Sequence, residues 1–361
     1  MKNMIESPLD SVYQEDVESI ASSNVPFSEL DGKTLLVTGA TGLIGSMIIK
    51  SALCANRLKG CAIKLIALVR SEEKARKVFG DLLESEYLTL AVGDVTSLPD
   101  IGADIDYIIH GASVTSSKDF VEHPVETIRT AMSGTENMLA LAKEKNVSGF
   151  VYLSSLEVYG VVPEDKEQIT ETDYGYIDPL SVRSSYSEGK RMVENLCVSY
   201  ASEYGVPVKI ARLSQTFGAG VSYNDGRVFA QFARCIIESK DIVLRTDGST
   251  LRNYCYVGDA VTALLFILLR GEKSKAYNVV NRNTAISIRD MAQLLCDSYP
   301  QSGSHLVFDI AADITKLGYN PKVVIRLDPS ALEALGWKPQ TDLPEMFDRL
   351  IRSMSNTKGN I

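Results

Sequence analysis

Tyr186 and Lys190 stand four residues apart, the spacing that stacks two side chains on one face of a helix. A free phenol holds its proton up to a pH of about 10. An ammonium group beside it favours the phenolate, and a phenolate can take the proton of a substrate hydroxyl. Ser155 closes the apolar run 149–154, so its hydroxyl would sit at the end of a strand and share the substrate oxygen with Tyr186. A second constellation is Gly39-Ala-Thr41-Gly42-Leu43-Ile44-Gly45, between an apolar run and a helical pattern. Gly39 permits the tight turn, Gly42 the approach of a pyrophosphate to the backbone, and Gly45 close helix–strand packing. The helix start then offers unpaired N–H groups and a positive dipole end to phosphates. Glycine turn, strand-end serine and Tyr-x-x-x-Lys, in that order, point to a nicotinamide dinucleotide that takes hydride while Tyr186 takes a proton. The positive charge of the oxidised nicotinamide would help hold the phenolate, and Lys190 would also bind the nicotinamide ribose.

These groups must be placed by strands and helices in alternation. Apolar runs at 33–38, 62–69, 88–92, 107–110, 149–154 and 207–213 predict six strands. Helical patterns fall at 43–56, 71–85 (with Ser71 as N-cap), 121–145 and 186–204. Strands apolar throughout, separated by helices, imply a parallel sheet covered on both faces. The class is α/β, a Rossmann-type doubly wound sheet. Past residue 213 the spacing turns irregular: short strands at 242–244 and 277–280 mix with helices at 228–238, 257–270, 288–299 and 344–354. The expected organisation is an N-terminal extension over 1–31, packed on the core as a helix or arm. A dinucleotide domain spans 32–213, and 214–361 forms mainly a smaller, substrate-binding C-terminal lobe.

Other positions fit the dinucleotide. Asp94-Val95 follows the third strand, where Asp94 holds an adenine amino group or is an ordinary turn aspartate. Gly111-Ala112 follows the fourth, where small residues leave room. Arg70 ends the second strand: an acidic residue there would bind the ribose of NAD, and an arginine suits the 2′-phosphate of NADP. A solvated arginine opening a helix is the other reading, so NAD with NADP as a possibility is the expectation.

Composition narrows the rest. Apolar residues make up 45% and charged ones 23% of 361 residues, which is ordinary for a soluble globular chain. A net charge of −9 argues against nucleic acid or an anionic membrane as partner. Cys54, Cys61, Cys197, Cys235, Cys255 and Cys296 form no CxxC pair, and with three histidines no metal site is expected. The start of the chain is acidic and lacks the apolar core of a signal peptide, and the longest apolar run, 260–269, is too short to span a bilayer. The expectation is a cytoplasmic protein with reduced thiols.

Over about residues 32–355 the chain resembles the extended short-chain dehydrogenase/reductases, in their nucleotide-sugar epimerase/dehydratase branch. Three stretches look most like UDP-glucuronate decarboxylases: Asp178 through Arg183 and Tyr186 to the ending Glu188-Gly189-Lys190-Arg191, the loop Asn224-Asp225-Gly226-Arg227-Val228, and Leu156-Glu157-Val158-Tyr159. The resemblance implies an acid/base role for Glu157, substrate binding by Arg183, Gln215 and Arg227, and phosphate or active-site binding by Arg252. Leu156 stands where 4,6-dehydratases have an aspartate that protonates a leaving hydroxyl, which disfavours dehydration. Ala131 and Gln215 stand where many decarboxylases have asparagine. The implied reaction is transient oxidation at C4 of a UDP-linked sugar, loss of CO2 from the β-keto acid so formed, and return of hydride. A 4-epimerase and an NADPH-dependent 4-keto-sugar reductase are the alternatives; a non-catalytic dinucleotide sensor would require a defective Ser155, Tyr186 and Lys190 set. The resemblance also implies a homodimer paired through the helices at 121–145 and 186–204, unless both faces are buried within one subunit.

Overall fold

The computed structural model describes residues 5–310 and 323–358, so parts of the N-terminal extension and of the C-terminal lobe lie outside the described residues. Seven parallel strands form the central sheet. They are β1 (Thr34–Thr38), β2 (Lys64–Val69), β3 (Leu88–Val92), β4 (Tyr107–His110), β5 (Gly149–Ser155), β6 (Val208–Leu213) and the strand Ala276–Val279. From the edge formed by Ala276–Val279 the order runs β6, β5, β4, β1, β2, β3. The direction of winding therefore reverses between β1 and β4, and the crevice at such a reversal is where open α/β sheets bind ligands.

Strand alternation divides the core between two faces. Leu35, Val37, Leu65, Ala67, Ile109 and Val151 pack with the helices α2 (Leu43–Lys59) and α8 (Val257–Arg270) on one side. Leu36, Ile66, Ile108, Phe150 and Ile210 pack on the other with Met138, Leu139, Val193 and Cys197, from α5 (Pro124–Glu144) and α6 (Ser185–Tyr204). Local signals set the helix ends. Ser71 caps α3 (Glu72–Phe79) by accepting from Lys74 N, and α2 ends at Gly60 in the left-handed region at φ 70°. The helix expected over 121–145 is two: α4 (Asp119–Glu122) stops at His123, and Pro124 starts α5, because proline lacks the N–H needed inside a helix but suits its first turn.

Two features of the chain ends complete the frame. The N-terminal extension carries α1 (Ser11–Ser22), whose Val12, Tyr13, Val17 and Ile20 are buried against α2. The strand near 277–280, expected in the smaller lobe, instead pairs with β6 as the edge of the main sheet, Ala276 opposite Ile210 and Val279 opposite Leu213. The cause is an insertion: residues 214–256 interrupt a β–α–β unit whose helix, α8, still covers the sheet. That insertion contains α7 (Val228–Ile237) and the short strand Gln215–Phe217, parallel to Tyr254–Tyr256. It hides the regular alternation from a reading of spacing alone.

Candidate active site

The glycine turn lies at the reversal point. A Cβ at Gly45 would fall 2.3 Å from the Gly39 carbonyl oxygen, and one at Gly39 would fall 2.9 Å from the backbone of Gly111. These glycines keep the turn after β1, the start of α2 and the turn after β4 close together with backbone exposed between them. That cradle fits a dinucleotide pyrophosphate at the amides of Gly42, Leu43, Ile44 and Gly45, with Thr41 beside them. Thr38 locks the second wall. Its Oγ1 accepts from the amides of Gly111 and Ala112 at 3.1 and 3.0 Å, so its own proton goes to His110 Nδ1 at 2.7 Å. His110 is then neutral and donates from Nε2 to Thr135 Oγ1 at 3.1 Å. Burial, with the Lys190 charge adding to it, pushes the His110 imidazolium down to about 3. Sequence reasoning noted only the small residues here, because a histidine between two distant threonines leaves no spacing signal.

Arg70 is exposed at the end of β2. Asp94 accepts from the amide and hydroxyl of Thr96 at 2.8 and 2.7 Å through one carboxylate oxygen. Burial raises the Asp94 pKa, the Thr96 bonds and Arg70 lower it, and the balance is below the ordinary value. The turn reading and the ligand reading of Asp94 are thus compatible, since its second oxygen makes no bond in that turn. Val95 is buried beneath α5, its side chain 2.7 Å from where a Cβ on Gly134 would lie.

α6 brings the chemical groups to the ends of β5. Tyr186 hydrogen-bonds Ser155, and its ring stacks on Phe120 with centroids 4.2 Å apart and planes 14° from parallel. Burial pushes the phenol up to about 12, and the nearby Glu157 carboxylate adds to the rise. Lys190 is buried one turn on, with Nζ 5.7 Å from the Tyr186 ring centroid and donating to the Leu153 carbonyl at 2.7 Å. Burial pulls the ammonium down to about 8, and Glu194 holds it up. In the protein alone the phenol is more reluctant than in water, with the Arg183 charge offsetting only part of the rise, so the nicotinamide charge expected from the sequence beside that of Lys190 carries more weight here than it would in water.

Glu157 sits on the turn 156–159. It accepts from Arg183 at 3.1 Å and from Ser187 at 3.1 Å, one bond to each carboxylate oxygen. The Arg183 guanidinium also lies over the Phe120 ring at 4.8 Å. Arg183, Glu157, Ser155 and Tyr186 therefore form one cluster. Leu156 points elsewhere, into an apolar cluster with Val158, Tyr159, Ile325 and Leu327. Ala131 packs α5 on α6: a Cβ at Gly189 would lie 3.6 Å from it, beside Lys190. Gln215 begins the strand after β6, and Arg252 lies in the short strand Leu251–Arg252 with a buried Nε that has no partner among the described residues, as a residue awaiting an anionic ligand would. Arg227 is not drawn into the cluster; it caps the start of α7, is about half exposed and chelates Asp225 at 2.6 Å.

Behind the cluster lies a buried charge pair that sequence reasoning missed. Arg212 on β6 donates to both oxygens of Glu194 on α6 (3.0 and 2.7 Å), to the hydroxyls of Tyr159 and Tyr174, and to the Glu171 carbonyl. Ser154 donates to the same carboxylate at 2.5 Å. The two charges lie 18 positions apart on different elements, so no local pattern reports them. Arg212→Ala leaves Glu194 buried without its partner and is expected to cost about 3–5 kcal/mol of stability in chemical denaturation; a loss under 1 kcal/mol would show that the pair is not what joins α6 to β6.

Among the described residues no group of His, Cys, Asp and Glu side chains is placed to hold a metal, and no helix is long and apolar enough to cross a membrane.

Residues 35–280 match the model of the NAD dependent epimerase/dehydratase family. UDP-glucuronic acid decarboxylase 1 of Danio rerio is 31% identical over 328 residues, covering 91% of this chain and 74% of that one. UDP-glucuronic acid decarboxylase 6 of Arabidopsis thaliana is 29% identical, covering 81% and 85%. Among solved structures, an epimerase of Methanothermobacter thermautotrophicus superposes with a TM-score of 0.77 at 22% identity, over 92% of this chain and 95% of that one. A dTDP-glucose 4,6-dehydratase of Streptomyces venezuelae, with NAD bound, superposes at 0.74 and 22%, over 90% and 98%. At these identities the structural likeness speaks for the fold.

Proposed function

The chain belongs to the NAD dependent epimerase/dehydratase family, and from that premise we propose that it is a nucleotide-sugar decarboxylase that acts on UDP-glucuronate. The observation that carries this reading is the Glu157 carboxylate, held by Arg183 and Ser187 beside Ser155 and Tyr186, while Leu156 offers no acid for dehydration. NAD, held by the Gly39–Gly45 turn, would supply the hydride acceptor for C4 of the sugar and the donor that restores it. Tyr186 removes the C4 hydroxyl proton, and Ser155 holds the same oxygen. The resulting 4-keto sugar is a β-keto acid; its C5–carboxylate bond breaks, CO2 leaves, and the electron pair moves to the C4 oxygen as an enolate. Glu157 or Arg252 manages the proton that then reaches C5. Lys190 would hold the nicotinamide ribose and supplies positive charge beside Tyr186. Tyr186 finally gives its proton back as C4 is reduced. Arg183, Gln215 and Arg252, with its unpartnered Nε, support binding of the anionic substrate, and Arg227 would have to leave Asp225 to join them.

Mass spectrometry of the product of UDP-glucuronate, with no cofactor added, tests the assignment. Loss of CO2 to a UDP-pentose supports it. An isobaric product means a 4-epimerase, and no conversion of UDP-glucuronate together with NADPH-dependent reduction of a 4-keto nucleotide sugar means a reductase, for which Arg70 is suited. Glu157→Gln is expected to lower kcat about a hundredfold, with reduced-nicotinamide fluorescence building up because oxidation outruns the later steps. Wild-type turnover by this variant would remove Glu157 from the mechanism.

Two settings follow from the same reading. Free cysteines at all six positions suit the cytoplasm. Exposed Val121, Val125 and Ile128 on α4 and α5, with Met192 and Val198 on α6, suit a homodimer joined through these helices. Sedimentation is expected to give twice the chain mass, and a monomer at all concentrations would contradict the dimer.

A further inference from the structure

The family match begins at residue 35, so α1 lies outside it, yet α1 touches both sides of the site. Tyr13 is buried where α1 crosses the first turn of α2. Ser46 Oγ donates to the Leu43 carbonyl at 3.3 Å, so the Tyr13 hydroxyl donates to Ser46 Oγ, at 3.0 Å. Leu43 and Ser46 belong to the turn that cradles the dinucleotide.

The other edge of the Tyr13 ring faces Gly220. That glycine has φ +86°, and a Cβ on it would lie 2.5 Å from the ring and 3.5 Å from Leu43. Gly220 N donates to Ser353 Oγ at 2.9 Å, and Ser353 donates to Asp10, the N-cap of α1, at 2.5 Å. One residue earlier, Ala219 N donates to Tyr256, whose hydroxyl donates to Asp16 of α1 at 2.5 Å. From Gly220 the chain runs directly into Asn224-Asp225-Gly226-Arg227. Three contacts from α1 thus fix the start of this loop, and the middle one reaches through to the dinucleotide turn.

We propose that Tyr13 is a positioning residue that clamps the loop Gly218–Arg227 onto the first turn of α2, so that the N-terminal helix controls both retention of NAD and affinity for the sugar nucleotide. The second half rests on the reading of 224–227 as a substrate loop; the first half stands without it. Removing the ring frees Gly220 to drift from Leu43 and leaves Ser46 without its donor. The hydroxyl alone accounts for the smaller share.

The test compares Tyr13→Ala, Tyr13→Phe and Glu18→Gln with the wild type. Glu18 ties the outer turns of the same helix to Arg57 and is half exposed, so it loosens α1 away from the loop. The protein is loaded with NAD, and release is followed by rapid filtration without substrate. Tyr13→Ala is expected to release NAD about tenfold faster and Tyr13→Phe about threefold faster, with Glu18→Gln at the wild-type rate. With UDP-glucuronate, KM should rise about fivefold in Tyr13→Ala while kcat stays within about twofold. Wild-type NAD release by both Tyr13 variants overturns the clamp. So does faster release by Glu18→Gln equal to theirs, which would make α1 a general stabiliser. If Tyr13→Ala does not fold, Tyr13→Phe decides on NAD release alone. Should UDP-glucuronate prove not to be a substrate, the release rates still decide the clamp and the failure belongs to the substrate assignment.

Discussion

Tyr186→Phe is expected to lower kcat by about a thousandfold while the fold and the NAD content stay as in the wild type. The hydroxyl is the only atom removed. The ring keeps its stack on Phe120, so neither α4 nor α6 loses its packing. What disappears is the proposed base, and its described neighbours are poor substitutes: Ser155 is a hydroxyl with a high pKa of its own, and Glu157 is already engaged by Arg183 and Ser187. The pH profile adds a second sign. Burial pushes the phenol up to about 12, so the phenolate that the reaction needs grows with pH and the acid side of the wild-type profile should follow Tyr186. Positive charge from Lys190 and from the bound nicotinamide brings that limb down toward neutrality. In Tyr186→Phe the residual rate should lose it. A variant that keeps a tenth of the wild-type rate, with an unchanged acid limb, would assign the base elsewhere.

Lys190→Met should separate stability from activity. The ammonium is buried, and its pKa is pulled down to about 8 from 10.5. The charged form is therefore disfavoured by folding. Its cost is fully present below the folded pKa and fades as pH rises from about 8 to about 10.5. The shift corresponds to about 3 kcal/mol, and loss of the hydrogen bond to the Leu153 carbonyl takes back about 1 kcal/mol. Without cofactor, Lys190→Met is thus expected to be more stable than the wild type by about 2 kcal/mol at pH 7, with no gain above pH 10.5. Activity should fall at least a hundredfold, because the site loses a charge beside Tyr186 and the proposed donor to the ribose. Denaturant titration at pH 7 and at high pH, beside turnover, checks both halves. A variant less stable at pH 7 and equally active would mean that Lys190 serves packing.

The glycine turn and its frame were readable because their logic is local. A strand, three glycines and a helix start lie within twelve residues, and Gly39 and Gly45 are required by backbone approaches that the fold makes. Tyr186 and Lys190 share one helix, so their neighbourhood also followed from spacing. Three features did not. The Arg212–Glu194 pair and the His110 hydrogen bonds join elements remote in sequence. The strand over 277–280 was legible, but its place at the edge of the main sheet was hidden by the insertion that precedes α8. Local spacing also could not show that Arg227 chelates Asp225 or that Arg183 holds Glu157, because each arginine could face several acids. The rise in the Tyr186 pKa was not legible for a related reason: a helix turn reports that a lysine is near, but not that both groups are out of water.

In the proposed reaction the sugar is oxidised and reduced at C4 on one enzyme by its own bound cofactor. UDP-glucuronate carrying deuterium at C4, turned over with no cofactor added, reports on this step. The expected product is a UDP-pentose that has lost CO2 and still carries the deuterium at C4. A product without the label, or one formed only with added reduced cofactor, would contradict it.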